Sequence, residues 1–343
     1  MRIEREIFVE EGQRFQIDRF RPTDAEGIAN LFFSVYGPDY PFDTYYFPGR
    51  IREENEKGNI HSVVARTPKG DIVGHGALYR SSPHNGNLYE GGQYMVLKNY
   101  RNTSAIYRIN KYIGETLMPG VGLDGVFGEA VCYHVTAQKA SALIGLKDVA
   151  LEVDLMPSES YQREKSAPGR VSCLVQFRSL RDRPHQVFVP PVYLEQIEYI
   201  QSDCDISRVI TPAAGTAPAD SKTGATVKFF SHAGVARVNV VQAGADFGSL
   251  AAEVERQAGE QAVVVLQFFL NLDKPWAGCA VEHLRDRGYF LGGYVPRWFD
   301  TDGLLMQKVL SEPGFDNIAL HSEKAKKIKE QVQADWDRAR TKK

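Results

Sequence analysis

Two patterns of apolar and polar residues alternate along this chain. Short runs rich in β-branched and aromatic residues predict strands, and apolar residues that recur every three or four positions predict helices. The predicted strands lie at residues 93–97, 149–156, 171–180, 187–190, 262–270, 289–295 and 304–310, with a hairpin at 225–241. The predicted helices lie at residues 28–35, 106–117, 193–200, 247–258, 276–287 and 322–340.

The most informative stretch is residues 89–112, which contains a strand, a polar turn and a helix in succession. Residues 93–97 are β-prone, and residues 99–104 are rich in side chains that cap helices. Backbone amides at the start of a helix attract anions, because the helix dipole adds positive potential there. The turn, which contains Arg101, is therefore a candidate phosphate site.

This stretch resembles motif A of the GCN5-related N-acetyltransferase (GNAT) superfamily, in which the turn cradles the cofactor pyrophosphate. Residues 20–29 are similar to the first strand and helix of that fold, and residues 60–65 and 71–78 to its second and third strands. Residues 126–131 and 136–139 are similar to its fifth strand and fourth helix. The resemblance covers about half of the chain. It implies an α/β (α+β) fold of mixed, mostly antiparallel sheets flanked by helices.

The resemblance implies that the chain binds acetyl-CoA or another acyl-CoA. Backbone amides of the strand would hold the pantetheine arm, and the turn would bind the pyrophosphate. The implied strand residues are Met95, Val96 and Leu97, and the implied turn residues are Arg101, Asn102, Thr103, Ser104 and Ala105. A bulge in this strand would open the cofactor slot, and the pair Gly91 and Gly92 is consistent with such a distortion.

An amine that attacks a thioester needs a group that accepts its proton, and the departing thiolate needs a proton. Glu129, in an otherwise apolar strand, and Glu90 are the candidate bases, with His134 as a third candidate. A hydrogen-bonded structural role weighs equally for Glu129, and a capping role weighs more for His134. The tyrosine that the family often uses as an acid falls on Ser141, while Tyr133 is close in sequence.

Two functions from different classes remain open. The first is an acyl-CoA-dependent N-acyltransferase that acts on a small amine or amino-acid-like acceptor. The second is a non-catalytic sensor or scaffold that binds CoA or a protein partner, which Ser104, Ile106 and Ser141 favour because they replace residues typical of the family. A purely structural tandem protein that acts through its terminal helix is a weaker third hypothesis.

Residues 36–46 are unusually rich in tyrosine and proline. In the family that the chain resembles, this segment borders the acceptor site. The alternative is a surface loop whose aromatic rings pack back onto the core, which is the commoner arrangement.

The length of 343 residues suits two domains. We predict a GNAT-like acyl-CoA-binding domain at residues 1–181, a degenerate second copy at 185–310, and a C-terminal tail and helix at 311–343. In the second copy, Pro275 follows the buried strand at 262–270 and removes an amide that a phosphate would need. A structural role, a dimerising role or a role as a wall of the acceptor pocket is therefore expected for the second copy. Polar segments at 157–170 and 211–226 are predicted loops.

The composition narrows the possible partners. A net charge of −2 gives no basic field for nucleic acid, no apolar run is long enough to span a membrane, and the N-terminus lacks the apolar core of a signal peptide. We therefore expect a cytoplasmic protein with no nucleic-acid or membrane partner. The resemblance implies a small-molecule amine as the acceptor, and we leave a homodimer open. The four cysteines are widely spaced and predict free thiols, and no ligand spacing predicts a metal.

Overall fold

The computed structural model describes residues 2–4, 6–38, 40–157, 169–216 and 220–341. Contacts divide the chain into two compact units. Unit 1 comprises Met1–Ser82, Tyr89–Val126 and Leu143–Gly145, and unit 2 comprises Pro83–Leu88, Phe127–Ala142 and Leu146–Lys343. The division does not follow the predicted boundary at 181–185, because residues 146–181 group with unit 2. The assignment of domains as repeated halves stays a prediction.

Unit 1 is built on four strands that pair in sequence order, each antiparallel to the next. Its elements are β1 (Gln16–Arg19), α1 (Ala25–Tyr36), α2 (Pro48–Glu56), β2 (Ile60–Arg66), β3 (Ile72–Tyr79), β4 (Leu88–Val96) and α3 (Ala105–Tyr112). A π-helical turn at Ile113–Leu117 continues α3 into the short helix α4 (Met118–Gly120). Ile28, Leu31 and Phe32 form the buried stripe of α1, and this helix packs on β3.

Unit 2 contains the remaining elements. They are β5 (Gly125–Val131), α5 (Thr136–Leu143), β6 (Lys147–Met156), β7 (Val171–Ser179), β8 (His185–Val189), α6 (Leu194–Gln201), β9 (Arg208–Pro212), β10 (Gly224–Phe230), β11 (Val235–Gln242), α7 (Phe247–Glu260), β12 (Val265–Asn271), α8 (Trp276–Asp286), β13 (Phe290–Val295), β14 (Gly303–Val309) and α9 (Glu323–Thr341). Its main sheet has the strand order β5-β7-β6-β13-β14-β12-β11-β10, and β8 and β9 form a separate parallel pair.

The main sheet of unit 2 contains one strand–helix–hairpin motif twice. The segment β5-α5-β6-β7 places its strands in the order β5-β7-β6, and β12-α8-β13-β14 places them in the order β12-β14-β13. The two motifs meet where β6 pairs with β13, at Ala150 and Gly293. The prediction that the second half is a degenerate copy of the first stays a prediction.

The predicted fold class is confirmed, since both units are sheets of mainly antiparallel strands with flanking helices. Two local predictions are wrong. The first strand ends at Arg19, just before the predicted segment, and β9 occupies the start of the predicted loop at 211–226. Residues 217–219 of that loop, and 158–168 of the predicted loop at 157–170, lie outside the described residues.

The terminal helix docks within unit 2. Ala325, Ile328 and Val332 are fully buried, and the helix packs on β13 and β6. The Ser322 hydroxyl accepts a hydrogen bond from the Ala325 amide at 2.9 Å, which makes Ser322 the N-cap.

Candidate functional site

Strand β4 of unit 1 contains a β-bulge. His75 pairs with Met95 and Ala77 pairs with Gly92, so two steps along β3 correspond to three steps along β4. Gln93 sits in the bulge with a φ of 57°. A residue with a side chain adopts this conformation only where the surrounding structure enforces it, and such positions cluster at functional sites. The distortion predicted beside Gly91 and Gly92 is therefore confirmed.

The imidazole of His75 holds the bulge in place. His75 is fully buried, and its Nδ1 lies 3.2 Å from the carbonyl oxygen of Gln93. Because a carbonyl only accepts, Nδ1 carries the proton, and Nε2 then accepts from the Ser62 hydroxyl at 3.1 Å. Burial lowers the pKa of His75 to about 4. A neutral imidazole in one fixed tautomer therefore fastens β3 to the bulged backbone.

Glu90 accepts a hydrogen bond from the hydroxyl of Tyr79 across the β3–β4 pair. Burial, together with the nearby Glu90 charge, raises the pKa of Tyr79 well above its usual value, so this hydroxyl stays protonated. A Cβ at position 92 would lie 2.7 Å from the Tyr79 hydroxyl, which explains why Gly92 is needed in the bulge. Glu90 is thus a carboxylate with a fixed donor on one oxygen.

Four aromatic rings, which we call the aromatic cluster, come together beside the bulge: Phe32, Tyr36, Tyr40 and Tyr45. The Phe32 and Tyr45 rings stack at 4.3 Å, Phe32 and Tyr40 meet edge to face at 4.9 Å, and Tyr36 and Tyr40 lie 4.8 Å apart. Tyr45 is buried, whereas Tyr36 and Tyr40 are half-buried. The tyrosine-rich segment therefore packs onto the core with one end and leaves part of its rings accessible.

The side chain of Gln93 joins the bulge to the aromatic cluster. Its Nε2 donates to the hydroxyl of Tyr45, and its Oε1 is a buried acceptor with no hydrogen-bond partner among the described residues. Burial raises the pKa of Tyr45 and of Tyr40 above the usual value, and the charge of Glu90 adds to the effect at both. These two hydroxyls are therefore uncharged at neutral pH.

The turn between β4 and α3 is exposed at the positions predicted to bind phosphate, residues 101–104. The Thr103 amide donates to the Tyr100 oxygen at 3.1 Å, and the Ala105 amide to the Thr103 hydroxyl at 3.3 Å. The structure gives no acceptor, within the residues it describes, for the amides of Asn102 and Ser104. Ser104 has a φ of −80°, so this turn does not require glycine there.

At the end of β4, just before the turn, successive backbone amides point alternately toward β3 and away from it. The Leu97 amide donates to the Val73 oxygen at 3.0 Å, so it is already engaged within the sheet. Since bonding alternates along an antiparallel strand, the backbone of Val96 points away from β3. Met95 and Val96 are both buried. The role of Met95, Val96 and Leu97 in holding pantetheine stays a prediction.

Glu129 lies in unit 2 and is part of a buried ion network. The Arg237 guanidinium lies 3.3 Å from the Glu129 carboxylate and 2.8 Å from that of Glu152. Gln267 accepts from Arg237 and donates to Glu152, both at 2.8 Å. Arg237 also lies 5.2 Å from the ring centre of Phe269. Residues of the second half therefore hold this carboxylate, and its role as a base stays a prediction.

His134 and Tyr133 lie in unit 2 between β5 and α5. The His134 Nδ1 accepts from the Thr136 amide at 3.3 Å, so this side chain satisfies an amide at the start of α5. The two rings contact each other at 4.3 Å. The capping role considered for His134 is therefore present, and a role of either ring in proton transfer stays a prediction.

The second half has its own strand–turn–helix, at residues 243–246 between β11 and α7. From the sequence, we expected the turn equivalent to the phosphate turn to follow the buried strand at 262–270. In the structure, that strand is β12, which is parallel to β11 and follows α7. The Ser221 oxygen accepts from the Ala245 amide, and the Thr223 hydroxyl from the Gly244 amide, both at 3.0 Å. A Cβ on Gly244 would lie 2.2 Å from the Ser221 oxygen. The amides of Gly244 and Ala245 in this turn are therefore already hydrogen-bonded within the chain.

Sequence reasoning missed His75, Tyr79, Gln93 and Arg237 as members of these sites. A signal for two of them was present, since His75 and Arg237 are polar residues inside apolar strand sequences, where a buried polar group needs a partner. Nothing in the sequence marks Gln93, because glutamine has no preference for a positive φ.

Within the described residues, no group of three or more acidic, histidine or cysteine side chains could hold a metal ion. No described helix is long and apolar enough to cross a membrane. All four cysteines are free thiols, and burial raises the pKa of Cys132 to about 12.

No protein-family profile matches the chain, and no curated protein sequence matches it. Solved structures do: a GNAT-family acetyltransferase from Staphylococcus aureus Mu50 is 17% identical and covers 49% of this chain and 99% of its own, at a TM-score of 0.35. The spermidine/spermine N-acetyltransferase from Vibrio cholerae, solved with manganese ions, is 10% identical over 48% of this chain and 92% of its own, at 0.37. A GNAT-family N-acetyltransferase from Escherichia coli, solved with CoA, is 17% identical over 41% of this chain and 73% of its own, at 0.30. Each of these alignments covers about half of this chain or less.

Proposed function

We propose that the chain is an acyl-CoA-dependent N-acyltransferase that acts on a small amine, and that unit 1 holds the binding residues. The observation that carries this proposal is the bulged strand β4, which leads into an exposed turn at the start of α3. The bulge displaces the strand backbone next to a carboxylate, and the turn presents amides to solvent. Both features serve a ligand that has a thioester at one end and phosphates at the other.

The residues of the turn fit a pyrophosphate. The amides of Asn102 and Ser104 are exposed donors at the start of a helix, where the helix dipole favours anions. Arg101 adds a cationic side chain that can make charge-assisted contacts with phosphate oxygens. An acyl-CoA would supply the activated acyl group as a thioester.

Residues around the bulge provide what the acceptor amine needs. The new C–N bond forms as the C–S bond breaks, so an ammonium acceptor must lose one proton before attack and pass a second to the departing sulfur. Glu90 is the candidate acceptor of the first proton, because Tyr79 fixes its carboxylate on the strand that contains the bulge. Proximity and orientation supply most of the rate gain that such a reaction needs.

Two measurements on the intact protein test this function. Acetyl-CoA should raise the melting temperature, and mixing it with a panel of amines should release free thiol in proportion to amide product. Binding of acetyl-CoA with no thiol release from any amine would support the non-catalytic sensor instead. Absence of both binding and release would reject the proposal.

A further inference from the structure

We infer that unit 2 binds a small zwitterionic amino acid in a cavity that α5, β6, β7 and the start of α9 line. The cavity has a volume of about 210 Å³. The residues proposed above to bind acyl-CoA and to take the proton of the amine belong to unit 1, so this inference goes beyond the proposed function and does not depend on it. The lining residues that carry the argument are Gln138, Lys147, Asp148, Gln176, Ser322 and Lys324.

The cavity is lined by a buried hydrogen-bond acceptor that has no donor. Gln176 is 2% exposed, and its Oε1 has no hydrogen-bond partner among the described residues. Its Nε2 donates to the Asp148 carboxylate at 2.8 Å and to the Gln138 carbonyl oxygen at 3.4 Å. Because both of these groups are acceptors, the amide cannot turn over to exchange its oxygen and nitrogen. A buried acceptor without a partner is costly, and a ligand that donates a hydrogen bond would remove the cost.

Two opposite charges in the lining have no ion-pair partner among the described residues. Asp148 is 7% exposed, and its carboxylate accepts from two neutral groups, the Gln176 amide and the Ser322 hydroxyl. Lys147, the preceding residue, is half-buried. Lys324 and Asp203, which also line the cavity, pair with each other. The anion of Asp148 and the cation of Lys147 are therefore both open to a ligand.

An α-amino acid matches these groups. Its ammonium has three donors and no acceptor, so it can donate to Asp148 and to Gln176 Oε1, and its carboxylate can accept from Lys147. Charge-assisted hydrogen bonds of this kind are stronger than neutral ones. A water molecule takes about 30 Å³ of the liquid, so the cavity suits a ligand of roughly seven non-hydrogen atoms. A ligand with only one of the two charges would leave Asp148 or Lys147 without a partner.

The test compares L-alanine with two compounds that each lack one of its charged groups. Ethylamine lacks the carboxylate, and propionate lacks the ammonium. Calorimetry on the intact protein without acyl-CoA should show binding of L-alanine. The affinities of ethylamine and propionate should be at least about tenfold lower, because each loses a charge-assisted contact.

Variants of the two charged residues test the location of the site. Lys147→Met should weaken L-alanine binding about tenfold and leave ethylamine binding unchanged, whereas Lys147→Arg keeps the cation and should retain most of the affinity. Asp148→Asn should weaken both compounds. Lys228→Met, at an exposed lysine of β10 in the same unit, is the control and should change nothing. Melting temperatures of all variants show whether each one is folded.

The outcomes separate this inference from the proposed function. Absence of L-alanine binding, or equal affinities of the three compounds, would overturn the inference. An L-alanine affinity that Lys147→Met leaves unchanged would also overturn it, because the amino acid would then bind elsewhere, for example as the acceptor of the transferase. These measurements contain no acetyl-CoA, so the thiol-release assay can fail while the amino-acid site stands.

Discussion

Several polar residues inside strands of this chain are held by partners on other strands. Glu129 was recognisable in the sequence, because a carboxylate is out of place in the apolar run of residues 126–131. Its partner was not, since Arg237 is 108 positions away and only the folded chain brings the two together. His75 was likewise recognisable as a polar residue in an apolar strand, but its partner was not. That partner is the backbone carbonyl of Gln93, which has a positive φ.

We predict that His75 makes stability depend on pH. Its pKa in the folded chain is about 4, below the ordinary value of 6.5. Between these values the unfolded chain binds more protons, so the free energy of unfolding falls as the pH is lowered from about 6.5 to 4. The expected loss is up to roughly 3 kcal/mol, which thermal or urea unfolding measured across this range would detect.

His75→Gln is the test of this assignment, because glutamine can donate to the Gln93 carbonyl but does not titrate. The variant should lose part of the decline between pH 6.5 and 4. His321→Gln, at an exposed histidine, should keep the decline of the parent protein. The same pH profile in all three proteins would show that His75 is not the source.

Arg237→Met should be among the most destabilising single changes in unit 2. It would leave the fully buried Glu152 without its cation, and removing one partner of a buried pair costs about 3–5 kcal/mol. Adding Glu152→Gln to the same chain should recover part of the loss, because the uncompensated charge is removed. Urea unfolding of the two proteins gives both values, and equal stabilities of the single and double variants would contradict this account.

Glu129→Gln tests the predicted base. Glu129 is not the sole partner of Arg237, so the variant should stay folded and keep its affinity for acetyl-CoA. If the carboxylate relays the proton of the amine, turnover should fall by roughly a hundredfold, the usual scale of general base catalysis. A lower melting temperature with near-normal turnover would assign Glu129 a structural role instead.

At the scale of elements, periodicity predicted most helices and strands to within a few residues. The hairpin of β2 and β3 and the strands β6, β7, β12, β13 and β14 were all expected. Two features were not predictable. β9 is a short strand that ends in proline, and its sequence has no distinct alternation. The position of the bulge depends on how β3 pairs with β4, which is tertiary information.

The turn between β4 and α3 gives a prediction at this scale. Arg101→Ala should weaken acetyl-CoA binding by about 1–3 kcal/mol, the usual effect of losing a charge-assisted contact. Arg52→Ala removes an exposed arginine from α2 and is the matched control, with no change expected. Calorimetry measures both, and an unchanged affinity of the Arg101 variant would exclude this turn as the phosphate site.

At the scale of the whole chain, a repeated order of elements in the sequence does not define the compact units. The sequence indicated a boundary at 181–185, between two similar halves. In the structure, β6 and β7 belong to unit 2, where β6 pairs with β13. The Gln307 side chain reinforces this junction, because it accepts from the Val153 amide at 2.9 Å and donates to the Leu151 oxygen at 2.8 Å.

The junction between β6 and β13 depends on Gly293, which gives the last prediction. Gly293 has a φ of 143°, and a Cβ there would lie 2.5 Å from the Ala150 Cα. Gly293→Ala should therefore lower the free energy of unfolding by at least about 2 kcal/mol, through backbone strain and overpacking. Gly259→Ala, in α7 with open space around it, should instead be neutral or stabilise by about 0.5–1 kcal/mol. Urea unfolding of both variants measures these effects. Equal stability of the two variants would mean that β13 does not need this close approach, and that the repeated motifs of unit 2 are joined by other contacts.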